Sequence, residues 1–191
     1  MAKKIEDFNA EDRIDIKLLE NNTFFLTGEI DEFNIERCMK WIAFENLDNK
    51  QEKLLTLYVN SPGGDLYQAF ALIDLMQSSY YTIRTIGIGN VCSAAFLIVS
   101  AGTKDYRYVA KNSCIMCHQL SEGIDGKFHD VQSQMKETER SNQRMLDLLV
   151  AVTGKAPTYV KKRLLPATDV YMTAEEMIQH GAADHILEGE E

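Results

Sequence analysis

Ser93 and His118 are the two residues of this chain whose types and settings best suit one another for chemistry. Ser93 stands where a small, glycine-containing stretch, Gly87-Ile-Gly-Asn-Val-Cys92, gives way to the apolar run Ala94-Ala-Phe-Leu-Ile-Val99. That pattern predicts a loop turning into a buried helix, with the hydroxyl at its start. The first amides of a helix lack intrahelical acceptors and make its N-terminus electropositive. Such a setting can stabilise a developing oxyanion. Helix capping explains a serine there equally well, so the reading depends on finding a base. Of the four histidines, His129 and His180 fall on polar, exposed faces of expected helices, and His185 lies in the terminal strand beside Asp184. His118 falls where an expected strand ends and a loop begins, and in open α/β sheets the carboxyl ends of strands face the ligand crevice. A structural, hydrogen-bonded histidine is the plainer alternative for it.

Acyl transfer through a hydroxyl also needs donors for the oxyanion and a group that orients the base. Ser61-Pro-Gly-Gly64 follows a strand and offers the amide of Gly64, which can approach a ligand closely because it lacks Cβ. Asp169, in Pro166-Ala-Thr-Asp-Val-Tyr-Met172, an expected loop between two helices, is a candidate orienting carboxylate, although a turn or cap aspartate is the plainer alternative there. Spacing alone does not choose it over Asp65, Asp105 or Asp184.

The elements that must hold these groups follow from periodicity. Strands are expected at Thr23–Gly28, Leu54–Val59, Thr82–Gly87, Asp105–Ala110, Ser113–Cys117 and Ala182–Leu187. Helices are expected over Ile30–Leu47, Leu66–Met76, the run after Ser93, Pro157–Leu165 and Thr173–Gly181, the last opening on the capping box Thr173-Ala-Glu-Glu176. This alternation predicts βαβ units and a largely parallel sheet. Lys127–Thr153 reads as one long helix, closed by Gly154, whose apolar stripe is interrupted by the polar run Lys136–Arg144. A partly apolar helix of that kind fits either a solvated surface or a partner. Residues 1–20 are charged, with weak alternation at Ile14, Ile16 and Leu18, and read as an arm or edge strand. The expected organisation is therefore an N-terminal segment, 1–20, and one domain, 21–191. Asn46–Lys53 is an expected polar loop.

The 191 residues are 45% hydrophobic, enough for one substantial core, and the net charge of −9 argues against nonspecific binding to nucleic acid or anionic membranes. No stretch has the length of a membrane span, and the N-terminus lacks the apolar core of a signal peptide, so the expected location is cytoplasmic. Cys114-Ile-Met-Cys117 has redox or half-zinc spacing, but no second pair accompanies it, and the apolar surroundings predict a buried strand with inert thiols. No metal and no cofactor is expected.

Five segments together resemble the ClpP peptidase family: Phe25-Leu-Thr-Gly28, Leu57-Tyr-Val-Asn-Ser-Pro-Gly-Gly64, Gly89-Asn-Val-Cys-Ser-Ala-Ala-Phe-Leu97, Asn112-Ser-Cys-Ile-Met-Cys-His-Gln119 and Asp169-Val-Tyr-Met-Thr-Ala-Glu-Glu176. The resemblance runs from Thr23 to Leu187. It implies an α/β fold, a ClpP/crotonase-like βαβ superhelix whose handle is the long helix at about 127–153. It implies a serine endopeptidase with Ser93 as nucleophile, His118 as base and then acid, and Asp169 as orienting carboxylate. The oxyanion donors would be the Gly64 and Ala94 amides. Asp65, Leu66 and Tyr67 on one side and Gln119 and Leu120 on the other would flank an extended polypeptide. The implied assembly is a homo-oligomer of two stacked heptameric rings served by an AAA+ unfoldase. The chain has no GxxxxGK[ST] loop, so ATP use would belong to that partner.

The chain departs from the family pattern at Ala94, commonly methionine, at Leu120, usually proline, and at Ala167-Thr168, often an Asp-Arg pair that links rings. The N-terminal segment matches poorly. Other readings are a crotonase-type acyl-thioester enzyme, a non-catalytic ring subunit, and a serine–lysine dyad using Lys104 or Lys111.

Overall fold

The computed structural model describes residue 5 and residues 8–47 and 52–188. The start of the expected arm, part of the Asn46–Lys53 loop and the end of the acidic tail lie outside the described residues.

Four parallel strands carry the first half of the molecule. β1 (Thr23–Thr27) pairs with β2 (Leu54–Ser61), β2 with β3 (Thr82–Cys92), and β3 with β4 (Arg107–Ala110). The crossovers are α2 (Glu32–Leu47), α3 (Leu66–Gln77) and α4 (Ala94–Ser100). β2 is buried along most of its length, as expected of a strand covered on both faces. α4 is buried throughout, which explains its unbroken apolar run. β7 (His185–Leu187) closes the sheet against β4.

β3 runs past the expected end at Gly87 and makes a second set of contacts. Its first part pairs with β4, and its last part, Asn90–Cys92, pairs with β5 (Cys114–Cys117). β5 then pairs antiparallel with β6 (Val170–Met172), a strand that stands where a loop was expected after Asp169. β5 alternates rather than being buried throughout: Ile115 and Cys117 face the core, while Cys114 is exposed.

Residues 10–20 do not form an edge strand. They make α1 (Ala10–Glu20), capped by the Asn9 side chain on the Asp12 amide and burying none of its residues. α5 (Phe128–Thr153) is the long helix, and Gly154 ends it in the left-handed conformation. Its buried residues, Ser141, Met145, Leu146 and Leu149, all lie in the second half, so the first half stands clear with Phe128 and Met135 exposed. α6 (Pro157–Arg163) packs on α5, and α7 (Ala174–Gln179) has the expected capping box from Thr173 and Glu176.

Candidate active site

The sheet register brings the chemical groups together. Cys92 pairs with Met116 across β3 and β5, and the next amide, Ser93 N–H, donates to the Met116 carbonyl at 2.8 Å. Cys117 pairs with Val170 in the antiparallel β5–β6 ladder. His118 follows the first of these partners and Asp169 precedes the second, so the two residues meet at the same end of the ladder. Residues 51 positions apart in sequence thus become neighbours through a three-residue strand.

Ser93 Oγ lies 2.7 Å from His118 Nε2, and His118 Nδ1 lies 3.5 Å from an Asp169 carboxylate oxygen. The second distance exceeds the roughly 2.7–3.2 Å of a made N–H···O bond, and such contacts commonly tighten only when substrate is bound. Asp169 is 53% exposed and the His118 side chain 22%. With the ring proton on Nδ1, Nε2 can accept from the serine hydroxyl.

The backbone at Ser93 has φ 57° and ψ −122°, a conformation L-residues rarely adopt, and the side chain makes no capping bond to α4. The capping alternative for this serine therefore finds no hydrogen bond to support it. A residue strained in this way costs on the order of 1–3 kcal/mol and is held by its surroundings. One of those surroundings is Gly63, at φ 103°. A Cβ there would stand 2.6 Å from Ser93 Cβ and 2.9 Å from the Cys92 carbonyl oxygen, so only glycine permits this close approach.

Gly64 sits in a parallel bridge with Ile30. Ile30 N–H donates to the Gly63 carbonyl and Asp65 N–H to the Ile30 carbonyl, which directs the intervening Gly64 amide to the other side. Ala94 is the first residue of α4, and its amide has no intrahelical acceptor. Both residues line a hollow of about 70 Å³ together with Ser93, His118, Leu66, Leu97, Gln119, Leu120, Ser121 and Met145. Larger hollows lie elsewhere, including one of about 500 Å³ that Gln119 also lines, but none of those contains a serine–histidine pair.

Leu66, Gln119 and Leu120, expected to flank a substrate, thus border the hollow. The Gln119 side chain is itself engaged, donating to the Leu165 carbonyl at 2.8 Å. Asp65 is occupied as the cap of α3, accepting from the Tyr67 and Gln68 amides, and Tyr67 turns its hydroxyl toward Ser141 and Glu137 on α5. Met145, Leu97 and Ser121 also line the hollow. Met145 and Leu97 belong to apolar stripes that look like simple core in the sequence. Ser121 has no signal at all.

The remaining candidates separate from the site. Asp184 is consumed by Arg107, whose Nε and Nη2 reach its two oxygens at 2.8 and 2.7 Å. Asp105 is exposed near Asp184. Lys104 also reaches Asp184, at 2.6 Å. His129 is exposed, whereas His180 is half-buried, with its ring against the Tyr159 hydroxyl at 2.9 Å and its proton affinity lowered mainly by burial. Burial pushes the Cys92 thiol up to about 11, with the neighbouring Cys114 adding to it, and Cys117 up to about 12. A thiol so raised is protonated at neutral pH and is a poor nucleophile, so Cys92 does not compete with Ser93 beside it. Among the described residues no cluster of three metal-ligating side chains occurs, and no helix is long and apolar enough to cross a membrane.

The family model described as Clp protease matches residues 8–190. The ATP-dependent Clp protease proteolytic subunit 2 of Corynebacterium jeikeium (strain K411) is 32% identical over 174 residues, 90% of this chain and 81% of the relative. Proteolytic subunit 1 of the same protease from Corynebacterium diphtheriae shows the same identity and coverage.

Proposed function

The chain belongs to the Clp protease family, and from that premise we propose that it is a serine endopeptidase that cleaves unfolded polypeptides through Ser93, His118 and Asp169. The 2.7 Å approach of Ser93 Oγ to His118 Nε2, at a strained turn beside two candidate oxyanion donors, carries the reading. Family membership makes the chain a proteolytic subunit. The triad, the assembly and the partner are the finer proposals.

His118 Nε2 takes the hydroxyl proton as Ser93 Oγ attacks the scissile carbonyl carbon. The carbonyl oxygen, now an oxyanion, receives the Gly64 and Ala94 N–H groups. His118 returns the proton to the leaving amine, which departs with the C-terminal part of the substrate. Water then repeats the sequence on the acyl-serine and releases the new carboxyl terminus. Asp169 orients the imidazole and stabilises its charged form without being protonated itself. An extended substrate would lie between the Asp65–Tyr67 turn and the Gln119–Leu120 segment, where main-chain pairing tolerates many sequences.

The exposed first half of α5 supports its role as a handle that interlocks two stacked heptameric rings. Residues 1–20 would form the axial segment and 21–191 the peptidase domain. The particle would work in the cytoplasm with an AAA+ unfoldase that supplies all ATP chemistry.

Ser93→Ala is expected to lower cleavage of small fluorogenic peptides by 10³-fold or more, on the order seen when a triad member is removed, while assembly by sedimentation stays unchanged. A fluorophosphonate should label Ser93 covalently. Undiminished turnover in the alanine variant overturns the assignment.

A further inference from the structure

His118 stands at the start of a segment with little structure of its own. β5 ends at Cys117, and residues 118–127 form neither strand nor helix before α5 begins at Phe128. The Asp169 contact at 3.5 Å, with the carboxylate half exposed, restrains the imidazole only weakly. Two hydrogen bonds fix the chain just beyond it. Gln119 Nε2 donates to the Leu165 carbonyl, which holds a side chain. Leu120 N–H donates to Asn142 Oδ1 at 3.0 Å, which holds the backbone itself.

Leu120 could not be held by its N–H if it were proline. Proline has a fixed φ and no N–H. Leucine brings both a freer backbone and a donor that needs an acceptor when it leaves water. Asn142 supplies that acceptor from the half-buried side of α5, one turn before Met145, which lines the hollow beside Ser93. A hydrogen bond from a rigid helix thus restrains a backbone that leucine leaves free.

We infer that Asn142 is a positioning residue: by holding the Leu120 backbone it keeps His118, two residues earlier, in line with Ser93. This rests on the serine–histidine reading above. α5 thereby acts on the active site through a side chain in its polar run, independently of any role as a handle. The acceptor oxygen is the functional part of Asn142, since the bond it makes is to a neutral N–H and needs no charge.

The test is a double-mutant cycle on the assembled protein with a fluorogenic peptide. Asn142→Ala should lower kcat about fivefold, the size of one neutral hydrogen bond, with KM unchanged. Fluorophosphonate labelling of Ser93 should slow by the same factor. Asn142→Asp, which keeps the acceptor oxygen, should recover most of the rate. In a Leu120→Pro background, where no N–H remains to be held, adding Asn142→Ala should change nothing. Hydrogen exchange at the Leu120 amide gives a readout that needs no activity: protection in the parent protein should be lost in Asn142→Ala. An unchanged kcat in Asn142→Ala, an equal loss in the proline background, or equal Leu120 protection in both proteins overturns the inference. An unmodified protein that neither turns over peptide nor labels at Ser93 instead overturns the serine-peptidase reading, while Leu120 exchange still decides whether the clamp exists.

Discussion

The two ends of α4 hold two aspartates in opposite ways. At the N-terminal end, Asp169 faces His118 at 3.5 Å and is 53% exposed. At the C-terminal end, Asp184 meets Arg107 at 2.7 Å, with side chains only 4% and 1% exposed. Arg107 uses its remaining donor, Nη1, on the carbonyls of Ser100 at the end of α4 and Val152 near the end of α5. That pair is two-pronged and well satisfied, the geometry in which a buried charge is tolerated. The aspartate with the better contacts thus serves the fold, while the looser one lies beside the histidine that borders the hollow. A helix clamped at one end can present a strained, mobile-proton site at the other.

Breaking the clamped end should have the largest effect on stability. Arg107→Ala leaves Asp184 with only Lys104 as a cation and should cost about 3–5 kcal/mol, read as a fall in thermal midpoint, while Ser93 of the folded fraction still labels. A variant that unfolds at the same temperature would show that the contrast between the two ends is false. Acid should act on the same end. Burial alone would raise the Asp184 carboxyl, but the Arg107 and Lys104 hydrogen bonds and the Arg107 charge outweigh it and hold the group far below its ordinary value of 3.8. A depressed folded value means stability that is present above 3.8 and lost as pH falls through the lower folded value. Urea midpoints should therefore owe no change to this pair between about pH 7 and about pH 5, and its contribution should drop only below that. Arg107→Ala should show a shallower acid loss.

The open end should respond in rate instead. Asp169→Asn should lower kcat about 10- to 100-fold, less than removal of a tightly packed triad aspartate, with the thermal midpoint within about 1 °C, as for a surface change. A large loss of stability would mean that Asp169 is structural after all. The smallest effect expected is at Thr173, which caps α7 just beyond β6. Thr173→Ala should cost about 1 kcal/mol, measurable by denaturant unfolding, with kcat nearly preserved.

Much of this was legible in the residues. The alternation of strands and helices, the buried α4, the Gly154 stop and the Thr173 capping box all follow from local patterns. The settings of Ser93 and His118 marked that pair as candidates, and only the ordered family segments chose Asp169, a selection spacing could not make. The rest was hidden for identifiable reasons. β3 continues through Gly87 and Gly89 because β2 and β3 slip register: Val59 faces Gly87, yet Ser61 faces Val91. Gly89, at φ 60°, makes room for the Asn60 side chain, which accepts from the Asn90 amide and bridges the slip. No periodicity reports a side chain standing in for a ladder bond. β6 is only three residues long, too short for an alternation to show. α1 buries nothing, so its apolar residues carry no helical stripe, and its signal lies in the Asn9 cap and acidic first turn. Asn142 lies inside a polar run that looks like solvated surface, and only the position of Leu120 gives it a purpose.

The short antiparallel strand β6 has a consequence for the order in which the molecule is made. Ser93 and His118 meet through β3 and β5, 25 residues apart, but Asp169 joins them only when β6 adds to β5. A chain emerging from its N-terminus therefore makes the proposed nucleophile and base first, while α5, whose Asn142 holds the Leu120 backbone, is still to come. The carboxylate is added last, across the most distant contact of the three, where loop closure is slowest. A nascent chain thus contains its serine and its histidine before it contains the residue proposed to orient them.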